Sequence, residues 1–587
     1  MSSARPFVQA GFDGSSWARI EPLVEALGAR QIASAAEFQA WLADRSDLEA
    51  ACSEARANLY IASSCNTEDA AIEAAYTRYL DQVGPKIEIA AFDLDRRQVD
   101  LHTQFPLSRE RFEVLERSKR ASVELFRQEN VPIQTELAKL SQDYGKITGS
   151  QTVVFDGQER TLPQMTQYQQ RTDRALREGA WRAVADRRLK DRGALDELLD
   201  KMISRRDRLA HNAGCAGYAE YAFKEKQRFD YTPADCRAFW GAVEKHVVPL
   251  LRRLDEKRAR ALGVEALRPW DLAVDPKGRA GLKPFDGGRD LMRKTQAVMD
   301  ALDPRLAGMT RRLGEGSEHH AERGGAQEKA LVTACLDLDS RKGKRPGGYQ
   351  YVRDLSRQPF IFMNAAGLHR DVMTMVHEAG HAFHSMLAEK EPLVDYRHSP
   401  IEFAEVASMS MEHLSMAHWG VRGGFYDRDE DLKRARREHL EDSITILAWI
   451  ATIDAFQHWL YANPTHTHAQ RDAHWLELDA RFGHAVSWAG LEAVRESQWQ
   501  RQGHLFSHPM YYIEYGIAQL GALGLWLKSK TEGEKAAVDA YVRALTMGGS
   551  RPLPDLFAAA GLRFEFGEGP VAGVVEAVEK ELAVIGE

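Results

Sequence analysis

The chain has 587 residues, of which 44% are hydrophobic and 28% charged, with a net charge of −8. This length is too great for one core and predicts two or more lobes. The acidic balance leaves no electrostatic footprint for nucleic acid, so no nucleic-acid partner is expected. The N-terminal stretch MSSARPFVQAGFDGSS has no basic segment followed by an apolar one, and no run of eighteen apolar residues occurs anywhere. Neither a secretory leader nor a membrane span is expected. The five cysteines, Cys52, Cys65, Cys215, Cys236 and Cys335, include no CxxC pair. An odd number without that spacing argues against a disulfide framework or a thiolate zinc site, and fits a reducing cytoplasm.

Apolar positions recur every three or four residues through 67–93 and 108–145, which predicts helices there. QTVVFDGQERTL (151–162) alternates around Asp156-Gly157 and predicts a β-hairpin. Helical spacing resumes over 163–211 and 233–263. Within the latter, RRLDEKRARAL (252–262) looks basic, but its interleaved acids predict a solvated face. GEGSEHHAERGGAQEK (314–329) is polar and Gly-rich and reads as an exposed loop or a poorly packed helix. His319-His320 within it could bind metal, although no neighbouring donors converge with them on a helix face.

Two short strands follow, at 349–354 and at PFIFMN (359–364). The second is either an ordinary buried strand or an edge strand able to pair with an extended peptide. Lys344 and Arg345, in the loop before the strands, could meet a peptide carboxylate or simply be solvated. Helices are then predicted around 372–387, 399–416, 428–462, 468–480 and 533–547.

The segment VMTMVHEAGHAFHSML (372–387) puts His377, Glu378, His381 and His384 into an apolar helix. It is either a core helix with hydrogen-bonded polar guests or half of a metal site. HEAGH matches H-E-x-x-H. Residues i and i+4 lie about 40° apart around a helix and about 6 Å apart along it, so both imidazoles can grip one zinc ion. Glu378 is then placed to hydrogen-bond a water at the metal without being a ligand.

A catalytic zinc needs a third protein ligand. His384 is poorly placed, about 10.5 Å along the helix from His377, and Leu387 stands where a metzincin would carry histidine. The segment SPIEFAEVASMSMEHLSM (399–416) reads as a second helix on which Glu405 and Glu412, seven apart, share an apolar face. An acid on such a face calls for a cation or another partner. Glu405 is the candidate ligand and Glu412 the candidate to orient a ligand histidine. A helix cap or salt bridge is the alternative for each.

Four blocks in order, RKGKRPGGYQ (341–350), VHEAGHAFH (376–384), IEFAEVASMSME (401–412) and RQGHLFSHPMYYIEY (501–515), resemble the M3 family of zinc oligopeptidases, in its oligoendopeptidase F-like branch. The resemblance implies a mainly α fold, with two helical lobes around a deep substrate channel and a small β-sheet next to the HExxH helix. The expected division is an N-terminal helical lobe at 1–195 and a catalytic zinc-peptidase domain at 196–587. The resemblance further implies one zinc ion per chain held by His377, His381 and Glu405, with Glu378 as general base. It matches His504, Tyr511 and Tyr515 to positions that help hold substrate and transition state. Because His508 and Met510 depart from the family pattern, Tyr512 stands as an alternative to Tyr511. A YYIEY run on a helix also reads as core or lobe packing. The loop Gly347-Gly348-Tyr349 resembles a segment that closes over bound peptide.

The activity so implied is endopeptidase cleavage of short peptides by a zinc-activated water. Two rivals remain: a zinc carboxypeptidase on a similar helical shell, and a silent peptide-binding protein with structural zinc. A structural site has no use for a glutamate at 378. No GxSxG or GxxxxGK motif offers another chemistry.

Overall fold

The computed structural model describes residues 7–9, 11–321 and 335–586; the side chains of residues 315–321 lie outside the description. A helix runs over Pro304–Ala321 and so covers the first part of the polar stretch expected to be a loop or a poorly packed helix. The rest of that stretch, and the side chains of His319 and His320, lie outside the described residues.

Helices dominate, and the strands form two small sheets. The backbone falls into two compact units that interleave along the chain: residues 1–124, 282–436 and 521–564 form the first, and residues 125–281, 437–520 and 565–587 the second. Residue 195 lies inside the helix Arg192–Asn212, in the second unit. None of the described helices is long and apolar enough to cross a membrane.

The second unit carries the hairpin. Strands β1 (Thr152–Phe155) and β2 (Gln158–Thr161) pair antiparallel, with Phe155 opposite Gln158. The turn residues Asp156 and Gly157 have φ of 53° and 71°. Positive φ at both central positions matches the right-handed twist of the strands, which is why the Asp-Gly pair marks the turn in the sequence.

The first unit carries the sheet that supports the histidine helix. Strands β3 (Leu336–Asp339), β4 (Tyr349–Arg353) and β5 (Gln358–Ala365) lie in the order β3-β5-β4. β3 runs parallel to β5 and β4 antiparallel to it. PFIFMN is thus the central strand, paired on both sides, and not an edge open to a peptide. Its run of Phe360, Ile361, Phe362 and Met363 is buried on both faces, as a doubly covered strand requires. On one face Phe360 and Phe362 pack with Ile61 and Cys65 of the helix Ala35–Cys65. The other face meets the helix His369–Leu387. β4, not β5, is an edge of this sheet.

Lys344 is neither solvated nor available to a peptide carboxylate. Its ammonium is buried and donates to the carbonyls of Asp337 (3.0 Å), Asp339 (2.9 Å) and Met363 (2.5 Å), and to the Asp337 carboxylate (2.9 Å). It pins the loop ahead of β4 to both neighbouring strands. Asn364 continues the clamp, donating to the carbonyls of Arg345 and Gly347.

Candidate metal centre

The histidine helix begins where Asp371 accepts hydrogen bonds from the backbone N–H groups of Ala366 (2.8 Å) and Leu368 (2.9 Å). A carboxylate there satisfies free donors and faces the positive end of the helix dipole. Val372, Met375, Val376, Ala379, Ala382 and Phe383 are fully buried and fix which face turns inward.

The acid helix, Ile401–Ser415, crosses it at very short range. A Cβ on Gly380 would lie 2.5 Å from the Ala407 carbonyl oxygen and 2.6 Å from the Ser408 Cα. Both obstacles are backbone, so no side-chain rotation could relieve the clash. The glycine inside HEAGH is therefore what lets the two helices touch main chain to main chain. That contact brings Glu405 over the histidines.

Three donors converge there. Nε2 of His377 stands 3.4 Å, and Nε2 of His381 3.7 Å, from Oε2 of Glu405. One ligand atom from each of these residues falls within 4.8 Å of the others. Ligands about 2.0–2.1 Å from a tetrahedral zinc ion stand about 3.3 Å from one another, so the donor set fits that ion. His377 donates Nδ1–H to Oε1 of Glu412 at 2.7 Å, which orients the ring with Nε2 toward Glu405 and leaves Nε2 as the nitrogen that a metal ion would engage. Ser408 donates to Oε2 of Glu405 at 3.1 Å and steadies it from within the same helix. His384 is occupied elsewhere, 2.9 Å from the Ser399 hydroxyl.

The charges of the centre call for a cation. Burial acts first and disfavours a charged His377, but the Glu412 hydrogen bond and the negative charge of Glu405 reverse this and raise it to about 10. Burial lowers His381, and the charge on His377 lowers it further. Burial raises Glu405, against the opposing pull of His377. Glu378 is raised to about 7, chiefly by burial, while a hydrogen bond from the Gln350 backbone N–H of β4 favours its ionised form. Three carboxylates thus surround two imidazoles in a mostly dry site, an arrangement stabilised by positive charge.

Other residues singled out in the sequence lie elsewhere in the fold. The Tyr349 ring stacks on Phe362 at 4.8 Å and lies 5.2 Å from Tyr60, on the sheet face away from the histidine helix. Its neighbour Gln350 takes the histidine-helix face, 3.4 Å from the Ser385 hydroxyl. Gly347 has φ of 106°, a conformation that glycine accepts without a Cβ penalty.

In the second unit His504, Tyr511, Tyr512 and Tyr515 form one aromatic cluster. Centroid separations are 5.8 Å for His504–Tyr511, 5.9 Å for His504–Tyr515 and 5.1 Å for Tyr511–Tyr515. Gln502 organises it by accepting from the Tyr512 hydroxyl (3.0 Å) and from Trp449 Nε1 (2.9 Å), with its amide 2.7 Å from His504 Nδ1. Tyr512 is buried by this commitment, whereas Tyr511 and Tyr515 are half-buried. Burial, with the nearby charge of His508, lowers His504 to about 4.

Residues 167–572 match the model of peptidase family M3. The chain belongs to that family. Among M3 relatives, it is 26% identical to oligopeptidase PepF of Bacillus subtilis over 58% of this chain and 47% of that protein. It is also 26% identical to an oligoendopeptidase F homolog of Borreliella burgdorferi, over 38% of each chain. These matches span about half or less of the curated relatives' length. A solved structure of PZ peptidase A with inhibitor 2 aligns at TM-score 0.85 and 25% identity, covering 99% of both chains.

Sequence reasoning overlooked Ser408, the Gln350 N–H, Gln502 and the crossing role of Gly380. Ser408 sits three residues after Glu405, a spacing that puts hydroxyl and acid on neighbouring helix positions and could have suggested the contact. No comparable local signal exists for Gln350, which reaches Glu378 through the fold.

Proposed function

We propose that this protein is a zinc endopeptidase that cleaves internal bonds of short peptides. The observation that carries the reading is the convergence of His377, His381 and Glu405 within 4.8 Å, with Glu378 next in the chain to His377. Two imidazole nitrogens and one carboxylate oxygen are the donor set of a catalytic zinc with a position left open. When bound, zinc acts as a Lewis acid and lowers the pKa of a water molecule at that position.

The chain's own groups do the rest. Glu378, buried and held by the Gln350 N–H, accepts the proton of the attacking water and then delivers it to the leaving amine nitrogen. Glu412 fixes the tautomer of His377 and keeps its Nε2 available. His504, Tyr511 and Tyr515 are proposed as donors to the oxyanion, and Gly347 and Gly348 as backbone contacts to the peptide. The packed Tyr349 ring and the committed hydroxyl of Tyr512 support framework roles for those two residues. The five cysteines are buried free thiols, which supports a reducing, cytoplasmic setting.

The test is turnover of an internally quenched, end-blocked peptide by wild type and Glu378→Gln, with zinc measured in both. Internal cleavage by wild type and its loss in a zinc-replete variant are expected. Equal rates would remove Glu378 from the mechanism. Release of single C-terminal residues alone would mark a carboxypeptidase. Peptide binding without turnover would mark a silent binder.

A further inference from the structure

A second group of metal-capable side chains lies in the second unit, away from any motif. The helix Pro233–Ala242 supplies Cys236, and the helix Asp429–Ala462 supplies Asp454 and His458. One ligand atom from each of the three lies within 4.8 Å of the others. Asp454 and His458 are four residues apart, so helical geometry puts both on one face, as in the HEAGH pair. Cys236 and Asp454 are 0% exposed, and the His458 side chain is 12% exposed.

Hydrogen bonds only half satisfy these groups. Trp240 Nε1 donates to Oδ2 of Asp454 at 2.8 Å. The other carboxylate oxygen, Oδ1, is buried with no hydrogen-bond partner, and so is Nε2 of His458. His458 Nε2 is 3.8 Å from Asp454 Oδ2, too far for a hydrogen bond. An acceptor buried without a donor costs about 1–3 kcal/mol, and more when charged. Side chains of this kind rarely stay unmatched in an interior. Aromatic walls close the site: the Trp240 ring lies 5.2 Å, and the Phe223 ring 6.1 Å, from the His458 ring. The positive charge of Arg228, itself paired with Glu514 at 2.6 Å, favours an ionised Asp454 but gives Oδ1 no hydrogen bond.

We propose that Cys236, Asp454 and His458 form a second metal site, which binds a thiophilic divalent cation. A sulfur, a nitrogen and an oxygen at this spacing suit zinc. The ion would supply the missing partner for Oδ1 and for the imidazole nitrogen. It would also hold the thiol as thiolate where burial alone keeps it protonated. Depth and aromatic enclosure make the site a structural clip between two helices. It does not depend on the catalytic assignment of the first centre.

Cobalt provides the test, because thiolate ligation gives an intense near-ultraviolet charge-transfer absorption and the HEAGH centre contains no sulfur. Metal-free protein is titrated with Co²⁺, and the bound metal is counted. At saturation the band should account for one of the two cobalt ions bound per chain, persist in His381→Ala and vanish in Cys236→Ser. Wild type should hold two equivalents of zinc and each variant one. Should Cys236→Ser fail to fold, Asp454→Asn and His458→Gln are expected to weaken cobalt binding at the band at least tenfold. No band in wild type, a band that survives Cys236→Ser, or unchanged cobalt affinity in both fallback variants would overturn the proposal.

Discussion

The HEAGH centre and the Cys236–Asp454–His458 group are both three-donor clusters carried by pairs of helices, yet they are supported differently. In the first, a second layer of hydrogen bonds aims the side chains: Glu412 holds His377, Ser408 holds Glu405 and the Gln350 N–H holds Glu378. In the second, among the described residues, Trp240 alone holds Asp454 while aromatic rings crowd His458. The difference separates two demands. A reacting centre has to fix tautomers and keep a base ready, which takes directional bonds. A centre that joins helices only has to keep its donors in place, which packing can do.

This contrast can be broken from either side. The largest effect is expected from His381→Ala, which should lose one equivalent of zinc and bring peptide hydrolysis to background, read by elemental analysis and a fluorogenic assay. Glu378→Gln should lower kcat by about 10²–10⁴-fold with the metal content unchanged, as removal of a general base does. Glu412→Gln tests the second layer itself. It should weaken zinc at the first centre by about 10–100-fold, read by chelator competition, and leave the cobalt–thiolate band untouched. Gly380→Ala should destabilise the first unit by about 1–3 kcal/mol, the usual cost of forcing atoms into a packed contact, read by denaturant titration. A Glu412→Gln variant with wild-type zinc affinity would erase the distinction between the two centres.

Much of the first centre was legible because a helix turns local spacing into shared direction. HEAGH sets His377 and His381 on one face within five residues, and the acids of 401–412 repeat on one face of the next helix. The hairpin was legible for the same reason, since Asp156-Gly157 encodes its own turn. What depends on pairing distant segments was not. The strand β3 was not foreseen, and it is what decides between the two readings of PFIFMN in favour of the buried strand. Lys344 reads as a loop charge until the carbonyls of Asp337, Asp339 and Met363 close around it. Cys236 is separated from Asp454 by more than two hundred residues, and no spacing rule spans such a gap.

The contact at Gly380 has one more consequence. Because the helices there meet through their main chains, the distance from the imidazoles to Glu405 is set by an axis separation and not by how neighbouring side chains fill space. Drift in the surrounding apolar residues can reshape the interior without stretching the triangle of donors. The substitution that would stretch it is a single methyl group at the crossing itself.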